Sequence, residues 1–505
     1  MSTASPSPRT GWASLKDLTG YQWFVFIVCC LAWDMDCLDQ QLFNLARRPA
    51  MQELVPMVTT ADPRYSQHAS DLAEQYAKES KPAPQEAEVL ASLRNSDVSK
   101  ASGYSTSIFL IGWALGGIAF GIMGDRVGRV KTLMLTILLY AVFTGLSAIS
   151  EKVWDFYLYR LLTGLGVGGV FAASVTLVAE TMPTNARPFA LGLFQASSAL
   201  GNCAAALISM YFGSLRESGL FSDINLLGHP FTPWRAMFLV GIVPGLLVVL
   251  IQFGLREPEQ WKQAVAAGGG KKLGSYFELL GDRRWSRNAI LGLILALSGV
   301  IGLWGIAFFS FDLQQYVANP AYMAEAQKLG LSGKEAAEYI AGQKSYWAGI
   351  TSLVQNIGSF FGIFAFAWVT VRVGRKPAFA LFFILAGAST AMVFLFLNSF
   401  SDIFWMVPIM GFFTIALFGG YAIYFPELFP TRLRSTGTSF CYNVGRLIAA
   451  SGPAMLAYLI SPAVFGSYPA PLPMRYAGVA MCGIFGLGLL VLPFLPETKD
   501  KPLPE

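Results

Sequence analysis

Twelve mostly apolar stretches, each about 20 residues long, leave this chain few ways to fold. The first six run near Tyr21 to Asn44, Tyr104 to Met123, Thr132 to Ser150, Phe156 to Ala179, Phe189 to Phe212 and Met237 to Gly254. The second six run near Ala289 to Phe311, Ala348 to Val371, Ala378 to Leu397, Ile403 to Phe425, Thr436 to Ile460 and Ala477 to Phe494. A run of that length crosses a hydrocarbon core of ~30 Å as an α-helix, which satisfies its own backbone polar groups where water cannot. Of the 505 residues, 54% are hydrophobic and only 13% charged, and the mean hydropathy is +0.50. These values exclude an ordinary soluble domain. The expected fold is an all-α membrane protein with about twelve transmembrane helices in two pseudo-symmetric six-helix bundles. No cleavable signal is expected, because the first apolar run lacks a small-residue cleavage site before Arg47 and more spans follow it.

The polar connections suggest how the chain is organised. Arg256, Lys262, Lys271, Lys272, Arg283, Arg284 and Arg287 surround a Gly-Gly-Gly point, which reads as a cytoplasmic linker (256–288) between bundles at 1–255 and 289–505. Basic residues also mark the turns at Asp125 to Lys131, Arg372 to Lys376 and Arg432 to Arg434, so both termini are expected on the cytoplasmic side of the inner or plasma membrane. The polar stretch 45–103 then falls outside as a partly helical cap or loop. All six cysteines lie in apolar segments without metal-ligand spacing, so neither disulfides nor a metal site is expected. The two histidines, His68 and His229, lie in polar connections. A proton carried through the bilayer would therefore need a carboxylate.

Carboxylates do interrupt the first apolar run, at Asp34, Asp36 and Asp39. Each acid costs roughly 2.5 to 3.5 kcal/mol in a membrane helix and demands a reason. Asp36 and Asp39 share a helix face, whereas Asp34 points elsewhere. They either sit hydrated near the outer end of the helix or form a proton or ion site facing an aqueous cavity. Arg160 lies ~12 Å into the fourth span, within reach of Asp39, and the pair reads as a titrating couple or as a static bridge between helices. Arg446 lies ~15 Å into the eleventh span, near the midplane. Its charged fork suits a carboxylate substrate, or it pairs with Asp312 of the seventh span. Ser439, Asn443 and Arg446 share one face, as do Gln195, Ser198 and Asn202 in the fifth span and Gln355 and Ser359 in the eighth. Such faces line a cavity or join helices.

The halves repeat. Glu180-x-x-Pro183-Thr184-x-x-Arg187 returns 247 residues later as Glu427-x-x-Pro430-Thr431-x-x-Arg434, and Asp155/Asp402 and Gly164/Gly411 keep that spacing. Gly128-Arg129 returns at Gly374-Arg375, 246 residues later. Arg160 and Arg446 have no counterparts, Val407 and Ala199 standing in their places. Parallel six-span halves are a transporter architecture, with the site near the midplane between them.

Gly121-Ile-Met-Gly124-Asp125-Arg126-Val-Gly128-Arg129-Val-Lys131 resembles the signature loop between the second and third spans of the major facilitator superfamily. Arg160-Leu-Leu-Thr-Gly164-Leu-Gly166-Val-Gly168, Arg256-Glu-Pro-Glu-Gln-Trp261 and Pro496-Glu-Thr-Lys499 resemble its sugar-porter branch. Asp36-Cys-Leu-Asp39, Pro426 to Gly437 and Tyr442-Asn443-Val-Gly445-Arg446 are more similar to the sialate and aromatic-acid proton symporters. The sugar porters' tenth-span tryptophan is missing, and the sixth-span glutamate of some sugar-proton symporters falls on Gly241. The resemblance implies that Asp39 and Arg160 form the coupling pair, and the neighbouring charge of Asp36 adds it to the expected proton-coupling set. It also implies an inner gate of Asp125, Arg126, Arg129, Glu180, Arg187, Glu427 and Arg434, in which Asp125 accepts at a helix N-terminus and the bases pair with Glu180 and Glu427.

The expected function is secondary active transport: a proton-coupled symporter importing an organic anion, such as a monocarboxylate, aromatic acid or sialic acid. A sugar or polyol symporter is the alternative, and a non-transporting nutrient sensor a remote one. An enzyme is not expected, since no nucleophile-base pair, metal cluster or phosphate loop is evident. The expected partners are a small-molecule substrate, protons and the lipid bilayer, with no nucleic acid and no cofactor, for a monomeric protein.

Overall fold

Every predicted apolar run is helical over most of its length in the computed structural model, which describes residues 11–78, 82–217, 225–226, 229–266, 273–449, 452–460, 464–465, 468 and 471–504. A short 3-10 helix at Gly11–Asp17 precedes α1 (Gly20–Leu54), α2 (Tyr65–Lys78), α3 (Glu86–Arg126), α4 (Arg129–Ser147), α5 (Val153–Thr181) and α6 (Arg187–Glu217). The sixth span is α7 (Pro233–Val240) and α8 (Leu247–Gly254), joined by a 3-10 turn at Val243–Leu246, where Pro244 removes a helix donor. The connecting helices α9 (Glu259–Ala266) and α10 (Tyr276–Gly281) lead to α11 (Arg283–Val300), which runs into a π-helical stretch at Ile301–Ile306. Then come α12 (Ser310–Lys328), α13 (Gly333–Val373), α14 (Arg375–Phe396) and α15 (Phe400–Leu428). The eleventh span is broken into α16 (Arg434–Ser439), a π-helical stretch at Phe440–Val444, α17 (Gly445–Ala449) and α18 (Gly452–Ile460); α19 (Leu472–Met481) and α20 (Ile484–Val491) form the last. A two-residue antiparallel ladder joins Asn225–Leu226 to His229–Pro230. Among the described residues eleven helical segments are long and apolar enough to cross a membrane. The twelfth expected span is the broken one.

Of the two readings of the polar segment 45–103, a partly helical cap or a loop, the structure has the helical one. Here α1 continues to Leu54 and α3 starts at Glu86, with a capping box between Gln85 and Glu88 and both Glu86 and Glu88 in its first turn, where carboxylates favour the helix dipole. Val89, Leu93 and Ala101 bury one stripe of this extension, and Arg64 ties the connection together by reaching Asp62 and Asp97, each at 2.7 Å. The seventh and eighth spans are extended in the same way by α12 and the start of α13.

Close packing repeats as the sequence motifs do. A Cβ on Gly112 or Gly116 would meet the main-chain oxygens of Leu161 and Leu165 at 2.2 and 1.9 Å. One on Gly358 or Gly362 would meet those of Pro408 and Phe412 at 2.1 and 1.9 Å. Each glycine pair lets the second helix of its half lie directly against the fourth. Gly116→Ala is therefore expected to force the α3 and α5 backbones apart and to cost about 1 to 3 kcal/mol. Thermal melting in detergent checks this, and an unchanged midpoint would contradict the packing.

Two further devices repeat. Gly128 and Gly374 both hold positive φ, at 122° and 103°, and each precedes a helix whose first N–H groups are capped by a distant glutamate. Glu257 accepts from the amides of Arg129 and Val130 at 2.7 and 3.0 Å, and Glu497 from those of Arg375 and Lys376 at 2.9 and 3.0 Å. Burial outweighs these bonds at Glu257 and holds its carboxyl above the usual range. At Glu497 burial pushes the same way, but the N–H donors outweigh it and hold the carboxyl below the usual range. At the other end of the bundle, Arg235 donates to the carbonyls of Ala148 and Ser150, closing the end of α4. Arg475 donates to Leu395 and Leu397 and so closes α14.

Candidate functional site

Buried polar atoms left without protein partners mark the interior: Trp33 Nε1, Asp36 Oδ1, both Asp39 oxygens, Trp113 Nε1, Tyr140 Oη, Thr144 Oγ1, Arg160 Nη1, Gln195 Oε1, Gln355 Nε2, Asn443 Oδ1, and Arg446 Nε and Nη1. An unsatisfied buried group costs about 1 to 3 kcal/mol, and native folds keep such groups few. A collection that includes two guanidiniums and two carboxylates calls for a ligand or a mobile charge.

Arg446 follows the π-helical stretch of the eleventh span. Its Cζ lies 3.6 Å from the Trp113 ring centroid and 4.4 Å from that of Tyr442, and Tyr442 stacks on Phe171 at 3.7 Å and 12°. Two faces of the guanidinium are thus covered by rings that favour a cation, while Nε and Nη1 stay free. Among the described residues the carboxylate acting on it through charge is Asp36 of α1. Asp36 is fully buried and takes one hydrogen bond, from Gln40 Nε2 to Oδ2 at 3.0 Å. This corrects the idea that Asp36 is hydrated near a helix end. Asp312 lies in α12, but its side chain is outside the described residues.

The expected bond between Asp39 and Arg160 is not made. Arg160 donates from Nη2 and Nε to Ser147 Oγ at 2.6 and 3.2 Å, and its Cζ lies 4.7, 5.4 and 5.7 Å from the rings of Phe238, Phe43 and Phe156. It acts on Asp39 through charge alone. The serine on α4 and the ring cage hold the arginine back. Gly241 and Thr144 stand beside Asp39, since a Cβ on Gly241 would meet Thr144 Cγ2 at 2.1 Å and Asp39 Oδ1 at 3.2 Å. Tyr140 lies within electrostatic reach of both Asp36 and Asp39.

The polar faces divide. Ser439 donates to Gly117 O at 2.5 Å, and Asn443 to Gly168 O at 3.1 Å and to Ser439 Oγ at 2.9 Å. Both residues are largely spent joining the eleventh span to α3 and α5, with only Asn443 Oδ1 free. Ser198 and Ser359 turn back on their own helices, bonding to Gln195 O and Gln355 O at 2.7 Å each, and Asn202 bridges to Asn356 at 3.3 Å. The amide tips of Gln195 and Gln355 remain open.

At the Asp125 end the halves are sealed together. Asp125 accepts from the amides of Ser435 and Thr436 at 3.1 and 2.9 Å and from Thr436 Oγ1 at 2.7 Å, at the N-terminus of α16. Arg129 forks onto Glu180 at 3.0 and 3.1 Å and donates to Thr431 O at 2.7 Å, while Arg434 reaches Glu180 at 2.6 Å. Glu427 takes Arg375 at 2.9 and 3.1 Å and Thr498 Oγ1 at 2.6 Å. Two of the expected bases do not pair with these acids. Arg126 donates to Leu273 O at 2.9 Å and Arg187 to Ala179 O at 2.8 Å, because Arg129, Arg434 and Arg375 already fill the carboxylates. The sequence reading missed Trp113, Tyr140 and the ring of Tyr442. Tyr442 at i−4 from Arg446 was a legible cation-π signal, but Trp113 and Tyr140 come from other helices and gave none.

Residues 89–453 match the Major Facilitator Superfamily. A putative metabolite transport protein of Haemophilus influenzae is 30% identical over 78% of this chain and 86% of its own. The cis,cis-muconate transport protein of Acinetobacter baylyi is 29% identical over 72% and 80%. Among solved structures, the proton:xylose symporter XylE bound to 6-bromo-6-deoxy-D-glucose superposes with a TM-score of 0.60 at 17% identity, covering 96% of this chain and 98% of that one. With its helical spans, its repeated halves and these relatives, the chain belongs to the major facilitator superfamily and is a multi-pass membrane transporter.

Proposed function

We propose that this transporter is a proton-coupled symporter importing an organic anion by alternating access, with both termini cytoplasmic. The observation that carries the reading is Arg446: a buried guanidinium, ring-covered on two sides, with Nε and Nη1 free and, among the described carboxylates, Asp36 opposing its charge. A substrate carboxylate can take that free edge in a forked bond. Two anions against one guanidinium are unfavourable, so substrate binding is linked to protonation of Asp36. Asp39 can change charge without breaking a hydrogen bond and passes the proton on, with Arg160 holding its field. Muconate transport by a relative of 29% identity agrees with an acid substrate.

A sugar is the second reading, favoured by the open amides of Gln195 and Gln355, which suit hydroxyls. Uptake into proteoliposomes of labelled organic acids and sugars, with and without an imposed pH gradient, separates the two. The anion reading expects acids alone to accumulate, and only with the gradient; accumulation of a neutral sugar would replace it.

The sealed Asp125 end acts as the inner gate in this scheme. Asp125→Asn weakens three bonds to the start of α16 without touching Arg446. Turnover is expected to fall about tenfold, roughly 1.4 kcal/mol, with substrate affinity nearly unchanged. Lost affinity at normal turnover would remove Asp125 from the gate.

A further inference from the structure

A cleft lies away from the central site, beside the start of α11. Its volume is about 1140 Å³, and Arg283, Arg284, Arg287, Phe494, Lys501 and Pro504 are among its walls. Among the described residues none of its four basic side chains is paired with a carboxylate. Arg284 lies over Trp285 at 4.6 Å, Arg287 donates to Phe494 O at 3.0 Å and Lys501 to Glu497 O at 2.7 Å. The cleft's two acids are spent elsewhere, Glu427 on Arg375 and Thr498, and Glu497 on backbone amides. Among the described residues its walls therefore hold four bases against two carboxylates, a net positive charge.

Its surroundings are apolar and exposed. Phe494, where the last span ends, is 59% exposed, and on the neighbouring α10 Phe277 is 94% and Leu280 45% exposed. Bulky apolar side chains beside a basic cluster at the end of membrane spans fit the boundary between headgroups and acyl chains.

We propose that this cleft binds the phosphate-bearing headgroup of an anionic membrane lipid, with Arg283, Arg284, Arg287 and Lys501 around the phosphate and Phe277 and Phe494 against the chains. The exposed Phe494 in its wall, with the exposed Phe277 on the neighbouring helix, favours a lipid over free phosphate, which has no use for exposed phenylalanines. The site also touches the seal between the halves. Pro504 O accepts from Arg434 Nη2 at 2.9 Å, so an occupant held by Lys501 steadies the segment that meets the Arg434–Glu180 bridge.

The test uses the full-length protein, delipidated and titrated with phosphatidylglycerol or phosphatidylcholine under native mass spectrometry, with inorganic phosphate as a third arm. The expected result is a preference for phosphatidylglycerol that falls at least tenfold in R283Q/R284Q/R287Q, each base near a surface being worth about fivefold, and about fivefold in K501Q. Phe277→Ser should weaken the lipid but not phosphate. No preference in the wild type, or a full preference retained in a triple variant that melts normally, overturns the proposal. Should the triple variant not fold, Lys501→Gln decides in its place. Phosphate that competes as well as the lipid, together with no effect of Phe277→Ser, assigns the cleft to free phosphate and also overturns it.

Discussion

Arg446→Gln is expected to abolish binding of an acid substrate, and Arg446→Lys to weaken it by about 1.5 to 3 kcal/mol, tenfold or more. Lysine keeps the charge but loses the fork and the flat contact with Trp113 and Tyr442, which lie 3.6 and 4.4 Å from the guanidinium carbon. The loss should be specific to the acid, with residual binding of its neutral amide changing little. Equilibrium binding to purified protein checks this. If Arg446 serves only to neutralise Asp36, then Asp36→Asn with Arg446→Gln removes both charges and should restore uptake of the acid. Recovery in that double variant would overturn the anion site and return the sugar reading to first place.

The second large effect belongs to Asp39. Asp39→Asn is expected to reduce gradient-driven accumulation to the level seen without a gradient, while exchange of substrate across the membrane persists, because exchange moves no net proton. The geometry favours a clean result, since both Asp39 oxygens lack hydrogen-bond partners and Arg160 is already anchored on Ser147 at 2.6 Å. The variant therefore removes a charge without breaking a bond, and uphill uptake left intact would exclude Asp39 from coupling.

Most of the fold was legible, because a bilayer permits few structures and each span announces itself in about 20 apolar residues. The repeat was legible too, and the structure adds to it Gly112/Gly358 in packing, in the register of Gly128/Gly374, and Arg235/Arg475 as carbonyl clamps. The segment 45–103 was harder, since hydropathy registers its polar faces and not the stripe of Val89, Leu93 and Ala101 that keeps it helical. In the site, Asp36, Asp39, Arg160 and Arg446 stood out because a charge in a span is costly. Their partners did not, because Asp36 acts on Arg446 by charge from the other half and Ser147 meets Arg160 from another helix. Ser439 and Asn443 were placed on the face of Arg446 by regular helical spacing, yet the helix is π-wound at Phe440–Val444 and these side chains reach the carbonyls of Gly117 and Gly168 instead. The small residues Gly117, Gly121 and Gly124, which pack on Asn443, Ser439 and Ser435, were the signal for that contact.

The central claim is that a substrate carboxylate on Arg446 is exchanged against the charge of Asp36. Proton uptake on binding tests it most directly: purified protein in weakly buffered detergent solution, a pH-sensitive dye, and an acid substrate added at saturating concentration. The account predicts net proton uptake from solution in the wild type and none in Asp36→Asn, whether or not Asp39 is intact. Substrate binding without proton uptake in the wild type, or undiminished uptake in Asp36→Asn, would contradict it.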